Sequence, residues 1–161
     1  MKTLLAIVVV AAAVGTSGCG ATRTASTSRA VNPVYPTLTS AVGTFVSRDH
    51  GKDADSSLTV ELLRSNAELA GTLQVVGTKF DDNSSSGPFS FSMSGPFTTS
   101  DIDSGQLRVR LVPDGADDWT FDLHLTTRYS DGTARNFLWR DVRLDNTSPE
   151  RVLMLALARV P

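Results

Sequence analysis

The sequence predicts an all-β domain of about eight antiparallel strands, arranged as an up-and-down barrel or a flattened sandwich. Three observations support this fold class. Apolar and polar residues alternate with a period of two in several stretches after residue 40. Short connections rich in Gly, Asp, Asn and Ser separate these stretches, as turns between strands require. No long stretch has a helical period, and closing such strands into a barrel removes the open sheet edges.

The first predicted strand covers residues 42–47, and the next two strands form a hairpin. Residues 57–64, SLTVELLR, and residues 68–76, ELAGTLQVV, both place apolar side chains at alternating positions. The connection between them, residues 65–67 (Ser-Asn-Ala), is typical of a turn. We therefore expect two adjacent antiparallel strands in this part of the chain.

Four further stretches continue the alternation toward the C-terminus. Residues 89–93, 107–111 and 119–126 alternate in the same way, so each is predicted to form a strand with one buried face. The Asp-Gly pair at 131–132 predicts a tight hairpin turn of the primed type. The strand that follows this turn is predicted over residues 137–144.

Two features near the C-terminus complete the prediction. The apolar residues within 137–144 change from one face to the other, which predicts a β-bulge around Arg140 and Asp141. Residues 151–160, RVLMLALARV, are apolar on both faces, as a strand covered on both sides would be. We predict a strand there, and a terminal helix is the alternative.

The N-terminus has the layout of an export signal. A lysine precedes an uninterrupted apolar run over residues 4–14, and a few small residues follow before Cys19. A membrane-spanning helix needs roughly 20 apolar residues, so segment 1–18 is predicted to be a signal helix that is cleaved. Residues 19–40 are rich in Ser, Thr and Ala, which predicts a disordered tether. The β-domain is then expected over 41–161.

The residues next to the single cysteine give this signal a more specific meaning. Ser17, Gly18 and Cys19 resemble the signal of bacterial lipoproteins, with Thr16 where that family usually carries an aliphatic residue. The resemblance implies cleavage between Gly18 and Cys19, and acylation of Cys19 with palmitate-type chains. It also implies anchoring to a membrane of the bacterial cell envelope, facing the periplasm or the exterior. An ordinary signal peptide cleaved nearby is the alternative, and it would leave a free thiol.

The spacing of strands and glycines from residue 41 onward is similar to that of small lipocalin-like barrels attached to bacterial lipoprotein signals. Gly43-Thr44-Phe45 is the nearest match to the Gly-x-Trp that lipocalins usually carry. The resemblance implies a barrel that is either filled by its own side chains or able to hold one small ligand. It includes no motif that identifies a ligand.

Six aromatic residues on the predicted strands form the candidate pocket or core. They are Phe89, Phe91, Trp119, Phe121, Phe137 and Trp139. Rings at alternating positions commonly fill a hydrophobic core, and they also line apolar ligand sites. The sequence therefore leaves both interpretations open.

Six arginines are expected on the outer faces of the strands. They are Arg108, Arg110, Arg128, Arg135, Arg140 and Arg143. Such residues pair with acidic neighbours on adjacent strands, or form a patch that receives an anionic partner. The first interpretation is preferred.

The inventory of charged and reactive residues gives no support for several function classes. A net charge of -2 and a pI of about 5.6 give no support for binding nucleic acid. The only histidines, His50 and His124, are far apart and are interpreted as surface residues. Neither a metal-ligand spacing, a calcium loop nor a Gly-x-Ser-x-Gly motif is found. We therefore predict no metal and no cofactor.

Two main functional hypotheses remain. The first is a non-enzymatic, lipid-anchored envelope protein that binds a small apolar ligand in a pocket, or a partner on its surface. The second is an interaction, structural or inhibitor protein of the envelope with a filled core. A hydrolase with unrecognised chemistry is a third and weaker alternative. The expected partners are a membrane, through the lipid anchor, and either a small apolar ligand or another envelope protein.

Overall fold

The computed structural model describes residues 35–115 and 118–160 of the chain. Their strands form two antiparallel sheets of five strands each, which makes the fold a sandwich. The all-β prediction and the sandwich alternative are thus confirmed, whereas the closed up-and-down barrel is wrong. The predicted signal helix, Cys19 and most of the predicted tether lie outside the described residues.

The strands of the first sheet are, in spatial order, β10 (Arg159–Val160), β8 (Ala134–Asp145), β7 (Asp118–Tyr129), β1 (Leu38–Ser47) and β4 (Ser85–Ser90). Those of the second are β5 (Ser92–Met93), β3 (Leu69–Val75), β2 (Ser57–Leu63), β6 (Gln106–Val112) and β9 (Glu150–Met154). A short helix, α1 (Thr99–Asp103), precedes β6. None of the helical segments in the described ranges has the length and apolarity needed to cross a bilayer.

The chain passes between the two sheets several times, and two of these passages join an edge strand of one sheet to an edge strand of the other. At the first edge, Phe91 separates β4 of the first sheet from β5 of the second. At the second edge, a 3₁₀ turn at Leu155–Leu157 separates β9 from β10. Strands therefore occupy both ends of the predicted segment 151–160. The prediction of one strand covered on both faces is wrong, because the chain changes sheets at the 3₁₀ turn and most of these side chains are exposed.

The two sheets have the same topology. Replacing each strand number by the number five higher or five lower converts the order β10-β8-β7-β1-β4 into β5-β3-β2-β6-β9. Within each half of the chain, the first strand lies beside the fourth, as in a Greek key, and not beside the second. The up-and-down order is wrong for this reason.

The predicted hairpins are confirmed. In the first, β2 pairs with β3, with Leu58 opposite Val75. In the second, β7 pairs with β8, and the register shifts between Phe121 and Leu123. The bulge predicted around Arg140 and Asp141 is confirmed, because the register shifts at this point of β8 and Asp141 has a left-handed φ of 52°.

The connection between β7 and β8 is longer than a two-residue primed turn. It comprises residues 130–133, between the end of β7 and the start of β8. Gly132 has a φ of 82°, but Asp131 does not have a positive φ. A primed type I turn needs positive φ at both central residues, so the predicted turn type is wrong although its position is right.

The two sheets fill the space between them with different kinds of side chains. The first sheet contributes aliphatic side chains together with the aromatic rings of Phe45, Trp119 and Phe121, which are all 0% exposed. The second sheet contributes aliphatic side chains, which are Leu58, Val60, Leu62, Leu73, Val75, Leu107, Val109 and Leu111. All of these residues belong to one buried cluster, so each sheet covers the apolar face of the other.

We expect Phe45→Ala to lower the free energy of unfolding by about 3–5 kcal/mol, because it removes a buried ring and leaves a cavity. The Phe45 ring centroid lies 5.5 Å from that of Phe80 and 5.6 Å from those of Trp119 and Phe121. Denaturant titration measures the effect. Tyr35→Ala is the control, because Tyr35 is 58% exposed and should change stability by less than about 0.5 kcal/mol. Similar effects of the two substitutions would contradict the assigned core.

Candidate functional site

Two of the six predicted aromatic residues lie at the centre of the core. Trp119 and Phe121 stack with ring centroids 3.9 Å apart. The buried indole N–H of Trp119 donates a hydrogen bond to Ser47 Oγ at 3.0 Å. Buried, stacked and hydrogen-bonded rings of this kind fill a core, so these two residues contribute packing.

The other four predicted aromatic residues occupy different environments. Phe137 and Phe91 are buried, with exposures of 1% and 8%. Phe89 and Trp139 are partly buried and pack against the edge of the core. The set therefore does not form one pocket, and Trp139 is the member that reaches a surface groove.

Two buried residues, Phe80 and Lys52, were not predicted from the sequence. Phe80 stacks with Phe89 at a centroid distance of 5.6 Å. Lys52 is 0% exposed, and its ammonium donates hydrogen bonds to the carbonyl oxygens of Asp53 at 2.6 Å and Thr78 at 2.8 Å. Both residues lie in connections without alternation, so the pattern used for strands could not identify them.

A polar cleft of about 440 Å³ opens near one end of β1. It is lined by Arg48, Asp49, His50, Asn83, Thr120 and Asp141. Arg48 makes its main contact just outside this lining, where its guanidinium donates to Asp122 at 2.5 Å and 3.3 Å. The arginine is therefore already engaged by a carboxylate of its own chain.

Asp122 joins this cleft to the β-bulge. Its Oδ1 accepts a hydrogen bond from the Asp141 backbone N–H at 3.0 Å, which supports the left-handed conformation of Asp141. Burial acts to raise the pKa of Asp122, but the hydrogen bonds from the Asp141 amide and the Arg48 guanidinium outweigh it and lower the pKa below its usual value. Asp122 thus has a structural role, in holding the bulge.

The reactive groups of the described residues do not assemble into a reaction centre. His50 lies in the cleft, whereas His124 is exposed on β7. Within the described ranges, no group of three or more His, Cys, Asp or Glu side chains could hold a metal ion. The cleft presents hydrogen-bonding groups, but no nucleophile is paired with a base in it.

Most of the predicted arginine pairs are present on the outer faces. Arg108 contacts Glu61 at 3.1 Å, Arg110 contacts Glu150 at 2.7 Å and Arg143 contacts Asp118 at 2.7 Å. Arg135 is not an exposed outer-face residue, because it pairs with Asp103 of α1 and its guanidinium lies over the ring of the buried Tyr129. Arg128 and Arg140, by contrast, form no ion pair with any described residue. Exposed pairs of this kind contribute little to stability.

A groove of about 480 Å³ lies between β8 and β9, and we name it the Trp139 groove. Its apolar lining comes from Leu138, Trp139, Val142 and Leu153, and its charged lining from Arg140, Asp141, Arg143 and Arg151. The indole N–H of Trp139 donates to the Met154 carbonyl oxygen at 3.3 Å. This bond links the two strands across one end of the groove.

The sequence matches no protein-family model, and no curated protein sequence is significantly similar to it. A function for this chain must therefore be inferred from its own residues. The two surface features described above, the polar cleft and the Trp139 groove, are the candidate sites.

We expect Asp122→Asn to lower the free energy of unfolding at pH 7 by about 1–2 kcal/mol. The change weakens charge-assisted hydrogen bonds, and the partial exposure of Arg48 limits the loss. Because the folded-state pKa of Asp122 is lowered, its contribution is fully present above its unfolded pKa of about 3.9. It is lost as the pH falls through the folded pKa.

Denaturant titrations of the wild-type protein and of Asp122→Asn from pH 7 down to pH 3 should therefore show a difference in the free energy of unfolding that shrinks below about pH 4. Asp49→Asn is the matched control, because Asp49 lines the same cleft and its carboxylate accepts no hydrogen bond from a described residue. A difference that stays constant over this range would contradict the role given to Asp122.

Proposed function

We propose that this protein is a lipid-anchored protein of the bacterial cell envelope, and that its sandwich is a non-enzymatic binding module that acts through its outer surface. One observation carries the second part of the proposal. The space between the sheets is occupied by the protein's own rings, since Phe45, Phe80, Trp119 and Phe121 are all 0% exposed. Binding is thereby assigned to the surface, and the preferred partner is another envelope protein.

The anchoring part of the proposal depends on the N-terminal sequence. Cys19 follows Ser17 and Gly18 directly, and this arrangement resembles the bacterial lipoprotein signal. Each buried methylene of an acyl chain contributes about 0.8 kcal/mol, so two or more chains are needed for stable attachment. The three chains implied by the resemblance would suffice without any further membrane-binding element.

The ligand-binding form of the hypothesis has less support than the interaction form. The predicted pocket residues Trp119, Phe121 and Phe137 are committed to the core. The polar cleft near Arg48 offers mostly polar groups to a ligand. The Trp139 groove is open along its side, and a groove of this kind suits an extended partner better than a small enclosed molecule.

Cys19→Ser should abolish lipid attachment, because serine lacks the thiol that is acylated. In a bacterial host fed an alkyne-tagged palmitate, we expect the wild-type chain to be labelled and to sediment with membranes. The variant should lose at least 90% of the label (roughly tenfold). Ser17→Ala is the control, because it keeps a small residue before the cysteine. A Cys19→Ser chain that stays attached and matures at the same site would refute the anchor.

The filled core predicts that no small apolar molecule is carried inside the sandwich. We expect native mass spectrometry of the full-length chain, released from mild detergent, to give the same mass as the denatured chain. Any covalent lipid would appear in both spectra and therefore serves as an internal control. A molecule that is present in the native spectrum and released on unfolding would instead favour the pocket hypothesis.

A further inference from the structure

We propose that the Trp139 groove is a binding site for an extended segment of a partner protein that carries acidic and apolar side chains. The segment would add a strand to the open edge of β8. This inference rests on the proposed role as a binding module, but it does not depend on lipid attachment at Cys19.

The backbone edges on the two sides of the groove are unpaired. The ladder between β10 and β8 ends at Phe137, which lies opposite Arg159, and one more hydrogen bond joins the Leu138 N–H to the Ala158 carbonyl. Beyond that point, among the described residues, β8 pairs with β7 alone, and β9 pairs with β6 alone. Free strand edges present rows of N–H and C=O groups that can pair with an added strand.

The size of the groove fits a short extended segment. Its lining on β8 runs from Leu138 to Arg143, and β9 contributes Arg151 and Leu153. At about 3.4 Å per residue, a strand alongside that part of β8 would contain roughly five or six residues. The groove of about 480 Å³ can receive the side chains of the segment that face the two strands, and its open side leaves room for the rest of the segment.

Trp139 supplies the apolar anchor. Its ring lies 6.1 Å from that of the buried Phe137, with the two planes inclined by 14°, and its N–H is bound to the Met154 carbonyl. The side chain is therefore already ordered before a partner arrives. Ordered and partly exposed tryptophans are frequent hot spots of protein interfaces, because little conformational entropy is lost when they bind.

The charges around the groove favour an acidic partner. Arg140 and Arg151 line it, and neither forms an ion pair with a carboxylate of the described residues. Among the described residues that line it, Asp141 alone is acidic. Guanidinium groups bind carboxylates through paired hydrogen bonds, so Asp or Glu side chains of the partner would neutralise them.

The same charges disfavour two other occupants. A second copy of this chain, paired through the same edge, would bring Arg140 and Arg143 of each molecule close to those of the other. The preceding segment of this chain, residues 20–34, contains Arg23 and Arg29 and no acidic residue. Both alternatives place like charges together, which opposes binding.

The opposite edge of the sandwich provides an internal comparison. It has a groove of about 450 Å³ at the equivalent place in the repeated topology, and Thr72, Gln74, Ser90 and Ser92 line it. Its lining has neither an aromatic ring nor a charge. The two edges therefore share their backbone arrangement, and the features that select an acidic, apolar segment are found at the Trp139 groove.

The test is selection of random heptapeptides displayed on phage against the full-length chain, immobilised in mild detergent. We expect enrichment of peptides in which apolar residues alternate with Asp or Glu. Arg140→Glu should weaken binding of the recovered peptides by at least tenfold (about 1.4 kcal/mol). Arg128→Glu is the matched control, because Arg128 is also exposed and unpaired among the described residues but lies outside the groove.

Strand addition predicts a further property of the recovered peptide. Only every second backbone N–H of an added strand faces the protein. Two methylated peptides should therefore differ, one carrying N-methyl groups at the odd positions and the other at the even positions. One of them should not bind, and the other should bind with an affinity within about threefold of that of the unmethylated peptide. The proposal is overturned by a lack of enrichment, by peptides without an acidic bias, or by equal binding to the Arg140→Glu variant. It is also overturned if sedimentation shows a dimer of the chain that Arg140→Glu dissociates.

The outcomes separate this inference from the anchoring proposal. Peptide binding without palmitate labelling would support the binding site in the groove and refute the lipid anchor. Palmitate labelling without enrichment of peptides would refute the binding site in the groove and support the lipid anchor.

Discussion

The structure depends on the contact between the apolar faces of the two sheets, one of which combines aromatic and aliphatic side chains while the other is aliphatic. The first sheet presents rings such as Phe45 and Phe121, and the second presents branched side chains such as Val60 and Leu107. Neither apolar face could remain in water alone, so each sheet stabilises the other. The chain has a single cysteine, outside this region, and cross-linking therefore contributes nothing to the sandwich. Burial and hydrogen bonding must supply its stability.

The repeated topology explains why the candidate binding surfaces lie at edges. Each half of the chain changes sheets once between two edge strands, at Phe91 in one half and at Leu155–Leu157 in the other. Each change leaves part of a neighbouring strand without a partner on one side, and a groove lies beside this unpaired part. The topology thus provides two equivalent openings. The side chains give them different chemistry, because Trp139 and its neighbouring arginines occur at only one of them.

The extent to which the sequence predicts this structure depends on the range of the interactions. Alternation identifies the β2–β3 hairpin and the bulge at Asp141, since both follow from local patterns. It contains no information about β1, which pairs with β4 and β7 and not with β2. It also assigns Asp122 to a solvent-facing position, whereas the bulge buries it. Trp139 resembles its neighbouring aromatics in the sequence, and only the end of the β10 ladder places it in a groove.

The position of β1 has a consequence for the order in which the chain acquires its structure. Ala41 lies opposite Thr127 in the completed sheet, so the first of the described strands to be synthesised must wait for β7, which comes much later in the chain. Pairing across such a separation is slow, because a long loop must close first. Until β7 arrives, one side of β1 has no neighbour, and an unpaired strand edge of this kind favours self-association.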